Sequence, residues 1–305
     1  MGYMGIVVRT GPGRRTRAAG AVVAAALLCA GTAGCGAEKS GGGKSGAKDP
    51  HMAPAAAVRA AAKKTEKLTS LSYRMSGSTP EDGRFEGEGA IAFKPPAMRM
   101  KTRSLDQGAD ASVEFRLTGG KLYLGGDAIK AGFDEESSSQ LDGKNWLATD
   151  ASALGKGGSG AAGQGGALAN RADKNPAEES AFLSDADNVR RVGDETIDGA
   201  RTTHYRGTVT LAQMRASLED EDAATRKRRE KSLRQYEELG VDRLVMDMWI
   251  DKDSHTKRFR TRGKGDSGRL DITITFKDIN KPVTVQAPPA SDTFDLADLT
   301  RGLEG

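Results

Sequence analysis

Cysteine is nearly absent: two residues in 305, Cys29 and Cys35, both close to the amino terminus. A disulfide framework and a cysteine-rich zinc site are therefore excluded for the rest of the chain. Histidine is almost as scarce. His51, His204 and His255 stand far apart, and no two of them have metal-ligand spacing. No "GxSxG" elbow is present to carry a serine nucleophile. Carboxylates do cluster, as in "EDED" and "DKD", but runs of that kind usually face solvent. Aromatics make up 5% of the residues, and Trp146 and Trp249 read as sheet-face aromatics or as platforms for a sugar. No constellation points to an enzyme, and no cofactor is implied. No apolar run reaches the ~20 residues that a membrane-crossing helix needs.

Charge of one sign is missing from the start of the chain. Arg9, Arg14, Arg15 and Arg17 precede Cys35, with no acidic residue among them. They account for the whole excess of 46 Lys+Arg over 42 Asp+Glu. Beyond Cys35 the chain is formally neutral, so its basic character is no sign of nucleic-acid binding.

What is present at that end is a basic region, an apolar stretch of about a dozen residues (Ala18 to Ala30) and small residues. This is the pattern of a secretory signal. With "TAGC" at its end, the segment resembles the lipobox of bacterial lipoproteins, although Thr32 stands where leucine is usual. The resemblance implies cleavage before Cys35, a diacylglycerol on its thiol and a further acyl chain on the new amino terminus. More than one chain matters, because a single chain holds a protein to a bilayer only marginally. The alternative is ordinary secretory cleavage that leaves Cys35 as a free thiol. Residues 1–34 are thus expected to be the signal peptide, and Cys29 leaves with it. The lipid at Cys35 would then anchor the chain to the extracytoplasmic face of the cell membrane.

Residues 35–55 are rich in Gly, Ser and Lys and read as a flexible tether. Its "GGGKSG" is not a phosphate-binding loop, because Glu38 stands where the first glycine must be. Residues 56–300 are expected to form one domain. Val58, Ala61, Ala62, Thr65 and Leu68 have helical spacing, after which the period changes to two. Leu71, Tyr73 and Met75 alternate with polar residues. So do Phe85 to Phe93, Met98 to Thr102, Val113 to Leu117, and Leu122 with Leu124. These predict consecutive antiparallel strands with one apolar face.

Residues 155–168 form a glycine-rich loop whose match to the dinucleotide fingerprint lacks a strand–helix context. A short helix is expected at 176–183. Residues 211–239 read as one charged helical insertion, apolar at both ends, with Asp222 and Arg226 spaced for an ion pair. It reads as a solvated bridge or as a face for a protein partner. Leu244, Met246, Met248 and Ile250 alternate with Val245, Asp247, Trp249 and Asp251, and "DKDS" then turns the chain. It is too short for a calcium loop, since position 256 is threonine. Leu270, Ile272, Ile274 and Phe276 form the clearest strand pattern.

This order of elements resembles actinobacterial lipoproteins of the LppX/LprAFG type, which belong with the LolA-like carriers. The phrases that carry the likeness are "FKPPAMRMK", "GDETIDGARTTHYRGTVTL", "LVMDMWIDKDS" and "ITFKDINKPVTVQAPPASDTFDLADL". The resemblance implies an α+β fold: a curved antiparallel sheet, an unclosed β-barrel, covered on one face by helices. It also implies a lipid or glycolipid ligand held by its acyl chain between sheet and helices. Met98, Met100, Met246, Met248, Ile250, Leu270, Ile272, Ile274 and Phe276 are the candidate lining residues. Methionine adapts well to an irregular ligand, though each could equally be ordinary core filling. The competing expectation is a non-catalytic envelope scaffold.

Overall fold

Alternation of period two carries through most of the chain. In the computed structural model, which describes residues 52–65, 67–80, 83–106, 112–127, 143–151, 182–184, 186, 188–219 and 221–296, it produces one large sheet. Helix α1 (Pro54–Thr65) opens the described chain, followed by β1 (Ser70–Thr79), β2 (Gly83–Phe93), β3 (Pro96–Ser104), β4 (Ser112–Thr118), β5 (Lys121–Gly125) and β6 (Trp146–Asp150). Then come β7 (Arg190–Ile197), β8 (Ala200–Thr210), α2 (Leu211–Ala216), α3 (Ala223–Glu238), β9 (Arg243–Asp251), β10 (Thr256–Gly265), β11 (Gly268–Lys277) and β12 (Thr293–Asp295).

The sheet order is β12-β6-β5-β4-β3-β2-β1-β11-β10-β9-β8-β7. The sheet does not close, and β12 and β7 are its edges. Neighbours are antiparallel except β12, which pairs in parallel with β6. The chain reaches that far edge by crossing from β11. On the way Asn280 accepts from the Thr69 amide at 2.9 Å, and the carbonyls of Val285 and Gln286 accept from Thr118 and Arg116.

The inner residues of β1–β4 and β8–β11 form one apolar face, and α1 and α2 lie against the sheet at β7–β10. Alanine-rich α1 buries Ala57, Val58, Ala61 and Ala62, a single stripe, and ends on Lys63 and Lys64, which suit the negative end of the helix dipole. It packs on β7, β9 and β10, while α2 packs on β8 and α3 on α2. Met214, Leu218, Leu233 and Tyr236 join the same hydrophobic cluster as the inner residues of β1–β4 and β8–β11. Phe182 and Leu183, in the short helical stretch 182–184, join it too. The rest of the expected helix at 176–183 lies outside the described residues. So do the glycine loop 155–168, the signal peptide and all but the last residues of the tether.

The insertion at 211–239 differs from the single helix expected. Thr210 and Gln213 form a reciprocal capping box that starts α2, and the chain then turns through 217–219. Asp222 accepts from the Thr225 amide at 3.1 Å and from its hydroxyl at 2.6 Å, so it caps a second helix. An aspartate competes with the backbone inside a helix but stabilises the start of one, and here that preference divides the segment. Arg226, the partner expected for Asp222, reaches toward the preceding turn. Its guanidinium donates to the carbonyls of Leu218, Glu219 and Glu221 at 2.9–3.1 Å.

Candidate functional site

The nine candidate lining residues all fall on the inner face, and each is at most 8% exposed. They belong to one cluster with the inward residues of α1, α2 and α3. The strand registers bring them together: Met100 stands opposite Gly89 and Phe115, Met248 opposite Phe259, and Ile274 opposite both Met75 and Phe259. Glycines make room for larger neighbours. A Cβ on Gly89 would lie 2.5 Å from the Tyr73 ring, and one on Gly87 would lie 2.8 Å from the Thr102 methyl. A narrow cleft of about 10 Å³ reaches Phe276, beside Lys64, Leu68 and His255. It has room for a water at most.

The opposite face holds what sequence reasoning missed. Asp247 and Trp249 alternate with the apolar residues of β9, which assigns them to solvent, yet both are buried. Asp247 Oδ1 lies 2.6 Å from His204 Nε2 and accepts from Arg206 Nε at 2.6 Å. Its Oδ2 accepts from the Arg262 guanidinium at 2.6 Å. The other ring nitrogen of His204 faces Glu195 at 2.9 Å, and its ring stacks on Trp249 at 4.1 Å. Burial works to raise the Asp247 carboxyl, but the bonds from His204, Arg206 and Arg262 outweigh it. The group sits below its ordinary value of 3.8. A signal was present in "RFRTR": Arg258, Arg260 and Arg262 share one face of β10, beside the acidic residue of β9.

Trp146 is covered in a similar way, with the Arg116 guanidinium 4.4 Å from its ring centre. Both tryptophans are thus occupied by side chains of this chain. Across β3, β2, β1, β11 and β10 the polar face forms a hollow of about 530 Å³, lined among others by Arg74, Glu86, Glu88, Lys101, Arg258 and Thr275. Asp251, Asp253 and His255 bring one ligand atom each within 4.8 Å of one another at the β9–β10 turn. Asp251 Oδ1 already accepts the amides of Asp253 and His255, and Lys252 pairs with Asp253, so the cluster is accounted for as a hairpin turn. Cys35 lies outside the described residues.

No protein-family model matches the chain. It is 29% identical over 245 residues to an uncharacterized 31.2 kDa protein of Streptomyces griseus, covering 78% of this chain and 73% of that one. A Streptomyces coelicolor protein named "Putative lipoprotein" is 28% identical over 180 residues, 57% of this chain and 50% of that one. Among solved structures, the chain is similar to the Mycobacterium tuberculosis lipoprotein LppX. The identity is 18% and the TM-score 0.44, over 76% of this chain and 98% of that one. It is also similar to LprF of Mycobacterium bovis, at 15% identity and a TM-score of 0.42, over 77% and 96% of the two chains.

Proposed function

We propose that this chain is a lipid-anchored, extracytoplasmic, non-catalytic protein that binds or carries a lipid or glycolipid by its acyl chain, between the sheet and its helical cover. The observation that carries the reading is the inner face itself. Inner residues of β1–β4 and β8–β11 form one apolar cluster, and short helices, not a second sheet, lie against it. Short covers can shift without breaking the sheet's hydrogen bonds, and Met75, Met98, Met100, Met246 and Met248 are side chains that repack readily. Each lipid methylene buried there contributes about 0.8 kcal/mol. Cys35 acylation supplies the anchor in this reading, and the lipoprotein name of the Streptomyces coelicolor relative supports it.

Native mass spectrometry tests the ligand. Protein lacking residues 1–35 and purified without detergent is expected to carry lipid-mass adducts, or to take up labelled fatty acid or glycolipid when emptied. A species that stays empty under both conditions sinks the proposal.

One observation favours the scaffold reading. The α2–α3 hairpin carries an open groove of about 390 Å³ edged by Arg215, Glu219, Arg226, Glu230 and Arg234, charges of both signs that suit a polar protein partner. Deletion of 219–231 would abolish that partner's capture.

A further inference from the structure

Tyr73 is a residue that the packing of the inner face does not explain. It sits in the middle of β1, 1% exposed, and its hydroxyl has no hydrogen-bond partner. Two other tyrosines are buried, and both differ. Tyr205 has the Thr203 side chain within reach, and Tyr236 has an interaction of its own. The same cluster uses phenylalanine at 85, 93, 115, 182, 259 and 276, so a plain ring satisfies the packing elsewhere. A buried phenol without a partner costs the desolvation of its hydroxyl, and burial also pushes the group above its ordinary 10.0, so it stays a protonated donor.

The position of that donor is defined. A Cβ on Gly89 would fall 2.5 Å from the hydroxyl oxygen, so the oxygen lies over the β2 backbone at Gly89. Met100 of β3 is directly opposite Gly89, and Met75 follows Tyr73 on the same face. Two of its same-face neighbours, Met75 and Met100, are therefore side chains that can move aside but cannot accept a strong hydrogen bond.

We propose that the Tyr73 hydroxyl is the polar anchor of the lipid site and donates to an ester carbonyl of an acylglycerol-type ligand beside Met100. The inference rests on the reading that the inner face binds an acyl lipid, and it adds which group of the ligand is recognised and by what. An ester carbonyl is neutral and accepts only, which matches a lone donor in an apolar setting. A carboxylate there would need a countercharge, and a bare hydrocarbon would leave the hydroxyl unpaired.

The test uses the full chain, with Tyr73→Phe, in a maltoside detergent that contains no ester. Two probes are titrated, dioctanoylglycerol and its diether analogue dioctylglycerol, which has no carbonyl. The wild type is expected to bind the ester about five- to tenfold more tightly than the ether, and Tyr73→Phe to erase that ratio while keeping ether affinity. The emptied variant is also expected to melt about 2–4 °C above the emptied wild type, because its orphan hydroxyl is gone. Equal wild-type affinity for the two probes would overturn the Tyr73 assignment alone. So would a variant that melts lower when empty, the mark of a hydroxyl already bound to a buried water. Failure of the wild type to bind either probe would overturn the lipid-binding reading together with it.

Discussion

Asp247 carries most of the chemistry on the polar face. Its side chain is 1% exposed, while Arg206 and Arg262, which bond it, are about one-third exposed. Replacing one partner of a buried ion pair leaves the others desolvated and uncompensated. Asp247→Asn keeps the shape, removes the charge and turns an acceptor into a donor facing Arg206, Arg262 or His204. A loss of about 3 kcal/mol is expected at pH 7, at the low end for buried pairs because water screens the arginines in part. The pH dependence has a definite sign. The folded carboxyl lies below 3.8, so its contribution is complete above that value and is lost as pH falls through the folded value. Urea unfolding of the two proteins should therefore converge between pH 4 and pH 2. Asp106, Asp194 and Asp253 are also held low, but they are common to both proteins and cancel in the difference. A gap that stays constant or widens in acid would show that the charge of Asp247 is not what stabilises the network.

The α2–α3 hairpin shows where element-level reading succeeds and where it stops. Arg226 starts near the beginning of α3 and reaches back to three carbonyls of the connection between α2 and α3, those of Leu218, Glu219 and Glu221. Arg226→Ala should cost about 1–2 kcal/mol and raise amide exchange in α2 and the turn first. Arg226→Lys should recover little, because one ammonium cannot match the spread of a guanidinium. Full recovery by lysine would mean that charge alone holds the turn. The apolar ends of this segment were legible in the sequence: Met214, Leu218, Leu233 and Tyr236 are buried. The break between them was not, because an aspartate inside a charged run looks the same whether it pairs along a helix or caps a new one. The strands were far more legible, since a one-residue slip would send Leu270, Ile272, Ile274 and Phe276 out of the core together. The burial of Asp247 was hidden for a related reason. Period-two alternation sorts residues by face, and it carries no information on whether long arginines from the next strands will cover the polar one. Tyr73 was placed on the correct face, but an unpartnered hydroxyl appears only once every neighbour's position is known.

At the scale of the molecule, this chain's own helices lie against β7–β10, and no helix among the described residues is long and apolar enough to cross a membrane. In the function proposed here, attachment comes from the lipid at Cys35. The segment between Cys35 and Pro54, the first residue of α1, is rich in glycine and lysine. As the flexible tether proposed here, a Gly-rich coil of that length would span roughly 25 Å, close enough for a lipid to pass between bilayer and inner face and far enough for the domain to turn. Anchor and binding face are then separable. Cys35→Ala should abolish incorporation of radiolabelled palmitate and leave the chain either released or with its leader uncleaved. The melting temperature of the folded domain should not move if, as proposed, the tether lies outside the fold. Gel mobility, membrane fractionation and calorimetry on the same preparation read the three quantities at once. Palmitate that persists in the variant would place the anchor elsewhere, and a melting temperature that falls with it would mean that the amino-terminal segment is part of the fold, not a tether.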